Sequence, residues 1–323
     1  MEAALEHLPP RPRRVASYAV GLSEADGTAR QAHGGKGLRP AIAVLCAQAA
    51  GGAAQAAVAG AVAIELVHTF TLVHDDIMDR DERRRHRPTV WKAYGVGPAI
   101  LSGDALLVLA IRTLTAADAA SAPTAVRYLS DALLDLVHGQ ADDIAFERRP
   151  YTGPGAVTVE EYTGMTARKT GALLGCAAAV GTLLGGGSPR LAADMTRMGA
   201  SLGVAFQTVD DLLGISGDPE ITGKPILSDL RRRKKTLPIL HALQSGTPPG
   251  RRLAELLETH PDDTESLRRA AELIDAAGGR ASAQRQAEHH LTKALAIIEQ
   301  SDLKKRPADH LTTLSTHLIH RTH

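Results

Sequence analysis

Aromatic residues are scarce in this chain: three Phe, one Trp and five Tyr among 323 residues. Sheets draw heavily on aromatic and β-branched side chains, and no long apolar/polar alternation stands in their place, which argues against a β-rich fold. Cysteine is nearly missing as well. Cys46 and Cys176 each sit among small apolar neighbours, which excludes a disulfide framework and suits a reducing compartment. The net charge of +1 gives no global field that would draw nucleic acid or an anionic membrane. The N-terminal stretch "MEAALEHLPPRPRR" has acids where a signal peptide needs bases, and no apolar core follows. A cytoplasmic protein is expected, with no nucleic-acid partner.

The uncharged run between Lys169 and Arg190 is long enough for a membrane span, but glycine and alanine make it only weakly apolar. It reads as a buried helix whose small residues let a neighbour pack closely, so no membrane span is expected.

What the chain does have is alanine and leucine, both strong helix formers. Apolar residues recur at helical spacing in "AIELVHTFTLVHDDIM", "YLSDALLDLVHGQADDIAFE" and "HHLTKALAIIEQ". Gly and Pro clusters at 51–52, 95–98, 153–155, 185–189 and 247–250 punctuate these runs. The expected fold is all-α: ten or more helices in a single domain over 1–323, allowing for a small helical extension after about residue 250. No repeat period or low-complexity tract stands out.

The charge is local. "LVHDDIMDRDERRRHRPT", residues 72–89, holds four aspartates, a glutamate and five arginines. On a helix Asp75 and Asp76 both neighbour Asp79, and like charges at that spacing repel. The repulsion grows if the helix is buried, as the apolar turns before it suggest. A hard, oxygen-loving ion such as Mg²⁺ would relieve it. The plain alternative is a solvated acidic helix end salt-bridged to the arginines behind it. A second apolar run, "VAFQTVDDLLG", ends in Asp210 and Asp211. Basic residues follow both pairs: Arg84 and Arg85 after the first, Lys224 and Lys234 after the second. Lys36, Arg39 and Lys169 are further cations of the kind that hold phosphate oxygens. The repeated layout points to a diphosphate and its metals.

Six ordered motifs, "GGKGLRP", "HDDIMDRDERRRHRPT", "HGQADD", "ARKTGAL", "FQTVDD" and "GKPILSDLRRRKKTLP", span roughly residues 33 to 245. Through them the chain resembles the trans-isoprenyl diphosphate synthases, the polyprenyl synthetase family. The resemblance implies an isoprenoid-synthase bundle around a central apolar cavity, working as a homodimer with three Mg²⁺ ions. It implies metal ligation by Asp75, Asp79 and Asp210, with Asp76 beside them. It assigns Arg84, Lys169, Gln207, Lys224 and Lys234 to the allylic diphosphate, and Lys36, Arg39, His68 and Arg85 to isopentenyl diphosphate. Thr170 falls where the family places an oxygen near the developing cation. Phe70 and Thr71, five and four residues before Asp75, match the floor of the prenyl-tail pocket. With no second aromatic there and no insertion in the Asp motif, the product implied is geranylgeranyl diphosphate (C20), with farnesyl diphosphate (C15) as the competitor.

Three positions depart from the family pattern: Gly214 where many members have aspartate, His86 where glycine is usual, and Gly37 where arginine is common. Rival readings are a class I terpene cyclase, a phosphohydrolase built on His74-Asp75, a di-iron bundle using Glu65-x-x-His68, and an inactive regulatory subunit. A cyclase has no use for the isopentenyl-type cations. A di-iron bundle needs a second Glu-x-x-His, and an inactive partner has no reason to keep a crowded acidic site.

Overall fold

The structure, a computed structural model, describes residues 1–30, 37–216, 227–259 and 261–319. As expected, it is all-α. The helices are α1 (Glu2–Leu5), α2 (Pro10–Ala19), α3 (Leu38–Ala49), α4 (Val58–Met78), α5 (Val90–Tyr94), α6 (Val96–Thr115), α7 (Ala122–Glu147), α8 (Val159–Thr166), α9 (Ala172–Leu184) and α10 (Pro189–Ser216). After the second Asp pair come α11 (Ser228–Arg231), α12 (Leu237–Leu243), α13 (Pro248–Glu258), α14 (Thr264–Ala276), α15 (Gly279–Gln300) and α16 (Lys305–Ile319). Local chemistry sets several of the starts. Thr158 and Glu161 form a reciprocal capping box on α8, and Thr247 and Asp263 cap α13 and α14. A π-helical turn, Ala167–Gly171, joins α8 to α9. The arginine block is not helical: Arg83–Arg84 (β1) and Arg87–Pro88 (β2) pair as an antiparallel hairpin.

The chain packs as two compact units. One comprises Met1–Asp131, Cys176–Thr196 and Ser301–Leu311; the other comprises Ala132–Gly175, Arg197–Gln300 and the chain from Thr312 on. In the first, α4 packs on α3, α5 and above all α6, burying Ile64, Leu66, Leu106 and Leu114 almost completely. By length and composition, α4 with its preceding turn and α6 could each cross a membrane. α4 nevertheless carries Glu65, His68, Asp75 and Asp76 along that length, which suits a core helix ending in a polar site. In the second unit, amphipathic α13 and α14 bury Leu253, Leu257, Leu267, Leu273 and Ile274 with Ile239 of α12. Phe146, Tyr162, Met165, Leu212 and Leu237 form a separate cluster there.

The small-residue run expected to allow close packing does so. Cys176–Leu184 of α9 is buried throughout, and Gly181 lies against the Ala43 carbonyl of α3 so closely that a Cβ would overlap it. On an exposed helix Gly→Ala gains about 1 kcal/mol. Here Gly181→Ala should instead cost about 1–3 kcal/mol by overpacking, a sign reversal that urea unfolding would detect.

Candidate active site

α4 delivers its carboxylates at its last turn. The Asp79 N–H donates to the Asp75 carbonyl at 2.8 Å, and Arg80 turns left-handed at φ 57°. The Asp81 N–H then returns to the Asp76 carbonyl at 2.9 Å and the Arg80 N–H to that of Ile77 at 3.3 Å. This is the paired closure of a Schellman stop, made here without glycine. Three aspartates thus sit where the helix dipole is already negative, which is unfavourable unless a cation is near.

Adjacent residues on a helix point about 100° apart, so an Asp-Asp doublet cannot present both carboxylates to one side. Asp76 is buried, 4% exposed, and its Oδ1 accepts from Arg84 Nε at 2.9 Å and Nη2 at 2.8 Å. Asp75 and Asp79 are half-buried. Asp76 is thus salt-bridged to the arginine block, as the plain alternative expects, but from a buried position and not a solvated one.

The hairpin positions the arginines. Its two-residue turn, Arg85-His86, has φ of 49° and 65°, the pattern of a type I′ turn matched to strand twist. Glycine takes that conformation freely, whereas His86 holds it with a side chain. Gly37 is likewise left-handed, at φ 56°, just before α3. Arg39 of α3, Arg85 of the turn, and Glu65 and His68 of α4 lie within electrostatic reach of one another. Burial, then the charges of Arg39, Arg85 and Arg84, hold the His68 pKa well below its usual value. Burial pushes the Glu65 carboxyl up, while Arg39 and Arg85 oppose the rise. Glu65-x-x-His68 therefore lies among cations, which suits an anion and counts against a di-iron site.

In the second unit the other doublet divides in the same way. Asp210 is exposed and Asp211 is 2% exposed. Asp211 accepts from Tyr162 Oη at 2.8 Å, Gln207 Nε2 at 3.0 Å and the Leu237 N–H at 3.3 Å. Burial nevertheless raises its pKa to about 7, the three donors opposing and Asp229 adding to the rise. Thr170 Oγ1 donates to Gln207 Oε1 at 3.1 Å, so one polar chain links Thr170, Gln207, Asp211 and Tyr162. Lys169 Nζ donates to Asp143 at 2.5 Å and Arg168 to Asp142 at 2.6 Å. These pairs give the "HGQADD" motif a role that sequence reading did not assign. Their 26-residue separation left no local signal. Lys234 follows a second left-handed stop, at Arg233 with φ 56°, its N–H returning to the Asp229 carbonyl at 2.9 Å. The departure at Gly214 also has a physical counterpart, because Asp229 Oδ2 occupies the space a Cβ there would need. Lys36 and Lys224 lie outside the described residues.

Phe70 is half-buried on α4 with its ring edge-to-face on His74, centroids 4.8 Å apart. Thr71 bonds back to the His68 carbonyl at 2.8 Å. Among the described residues no three His, Cys, Asp or Glu side chains converge as a ready metal cage.

The sequence profile of the family described as Polyprenyl synthetase matches residues 27–274, well over half the chain. The chain belongs to the polyprenyl synthetase family. It is 44% identical over 322 residues to a (2E,6E)-farnesyl diphosphate synthase of Mycobacterium tuberculosis, covering 98% of this chain and 88% of that one. It is also 44% identical over 286 residues to a geranylgeranyl diphosphate synthase of the same organism, covering 88% and 80%. A crystal structure of a polyprenyl synthetase from Streptomyces coelicolor A3(2) superposes with a TM-score of 0.91 at 43% identity, covering 98% of this chain and 95% of that one.

Within this enzyme Asp211, 2% exposed, is a buried carboxylate held by three donors, Tyr162 among them. Tyr162→Phe removes one donor from a buried carboxylate and should cost about 1–3 kcal/mol, measured by urea unfolding. An unchanged midpoint would show that the network contributes nothing.

Proposed function

We propose that this prenyltransferase condenses isopentenyl diphosphate with an allylic diphosphate and releases mainly a C20 product. The observation that carries the reading is α4 itself: it ends in Asp75, Asp76 and Asp79, two turns after a His68 that lies among Arg39, Arg84 and Arg85. One helix thus offers an environment for a cation and another for an anion, and Asp75, Asp79 and Asp210 are assigned to metal. Mg²⁺, when bound, would draw charge onto the leaving diphosphate and ease cleavage of its C–O bond. Arg84, Lys169, Gln207, Lys224 and Lys234 are assigned to the allylic diphosphate, and Lys36, Arg39, His68 and Arg85 to isopentenyl diphosphate. His68 stays neutral among its arginines, so it contributes an N–H donor to a phosphate rather than a charge. As the allylic C–O bond breaks, the isopentenyl double bond attacks the allylic carbon. The new cation then loses a proton to the departing pyrophosphate. Thr170, on the same polar chain as Gln207, is assigned to the developing charge.

Chain length rests on Phe70, because the farnesyl and geranylgeranyl relatives are equally identical. The alignment with the farnesyl synthase, which spans 98% of this chain and 88% of that one, keeps C15 as the second reading. The experiment is to incubate the protein with Mg²⁺, isopentenyl diphosphate and dimethylallyl, geranyl or farnesyl diphosphate, then size the dephosphorylated alcohols. C20 alcohol is expected, with Phe70→Ala moving the products beyond C20. A C15 end product would move the floor, and a hydrocarbon made without isopentenyl diphosphate would favour a cyclase.

The enzyme is further proposed to be a cytoplasmic homodimer. α6 leaves Val96, Ile100, Leu101, Val108 and Ile111 exposed, Leu101 and Val108 each at 65%, with the exposed Asp104 among them, a concentration of surface apolar side chains of the kind that marks a protein interface. Leu101→Arg/Val108→Arg should give a monomer in sedimentation, where the unaltered protein sediments as a dimer.

A further inference from the structure

The mechanism has no use for His74, although it stands next to Asp75. Its ring is turned instead toward α6. Gly103 of α6 has no side chain, and a Cβ there would overlap Nε2 of His74 and lie 2.6 Å from its Cδ2. The same Nε2 is 3.2 Å from the carbonyl of Ile100 on α6. A carbonyl can only accept, so Nε2 carries the proton. Asp104 Oδ1, also on α6, lies 4.0 Å from the same Nε2. Phe70, one helical turn back on α4, meets the ring at an interplanar angle of 70°, the edge-to-face geometry aromatic rings prefer. The imidazole is thus seated on one helix and braced against the aromatic residue of the other. A hydrolytic His-Asp dyad would need that nitrogen for a metal, and here it is spent on a backbone carbonyl.

We infer that His74 and Gly103 set product length as a unit: Gly103 makes the seat, and the seated His74 ring holds Phe70 at the angle that closes the tail pocket. The inference rests on Phe70 being the floor. His74 is a positioning residue in it, since it acts on the substrate only through Phe70. Sequence distance hides the arrangement, because Gly103 and His74 are 29 positions apart on separate helices.

Product sizing with a fixed allylic primer tests it on four variants: Phe70→Ala, His74→Ala, Gly103→Ala and the His74→Ala/Gly103→Ala pair. Releasing the floor should raise the ratio of products longer than the main wild-type product at least fivefold in each single variant. Because both substitutions act through one ring, the pair should match His74→Ala alone instead of adding to it. KM for isopentenyl diphosphate should stay within twofold, since Arg39, His68 and Arg85 are untouched. A merely structural role would lower the melting temperature and total turnover without moving the length ratio. If Phe70→Ala lengthens the products while His74→Ala leaves the ratio at wild type, the brace is overturned and the floor stands. If Phe70→Ala itself changes nothing, the floor falls and the inference with it, whatever His74→Ala does. Additive lengthening in the pair would show two independent effects and overturn the unit. Should Gly103→Ala fail to fold, the comparison of His74→Ala with Phe70→Ala decides alone.

Discussion

Carboxylates at the C-terminal end of an apolar helix are the constraint on which the rest of this structure depends. The dipole of α4 is negative at its C-terminal end, and Asp75, Asp76 and Asp79 add charge of the same sign there. Surface dilution cannot remove the conflict, because the turns leading to it are core. Two remedies remain, an internal cation or a bound one. Arg84 supplies the first to Asp76. Metal, and the diphosphate it carries, is proposed as the second, at Asp75 and Asp79.

The same logic separates the two kinds of polar site in the first unit. Where aspartates gather, a cation is favoured. Where Arg39, Arg84 and Arg85 surround His68, protonation of the imidazole is suppressed and an anion is favoured. α4 carries both environments on successive turns, and its packing on α6 fixes their spacing. The type I′ turn at Arg85-His86 allows this, because a two-residue turn brings the basic block back over the helix end with little extra chain.

Much of this was legible in the sequence. Helical spacing gave the fold class, and the glycine- and alanine-rich run of α9 was correctly read as a close-packing buried helix. The ordered motifs gave the family. The parts that were not legible depend on pairs distant along the chain: Lys169 with Asp143, Tyr162 and Leu237 with Asp211, and His74 with Gly103. No local period records such pairings. The hairpin was missed for another reason. "RRRHRP" lacks the Asn-Gly or Gly-Gly signal of a tight turn, and the structure holds two non-glycine residues at positive φ there. The doublets illustrate a third limit. Helical geometry states that one aspartate of each must turn away, but only packing decides which.

The most direct test of the central claim is calorimetric titration of inorganic pyrophosphate into the protein with and without Mg²⁺, repeated on Asp75→Asn. If these carboxylates exist to hold metal against a diphosphate, Mg²⁺ should tighten pyrophosphate binding at least tenfold, and Asp75→Asn should abolish that gain. Equal pyrophosphate affinity with and without Mg²⁺ would contradict the account, since the acidic helix end would then have no part in binding the diphosphate.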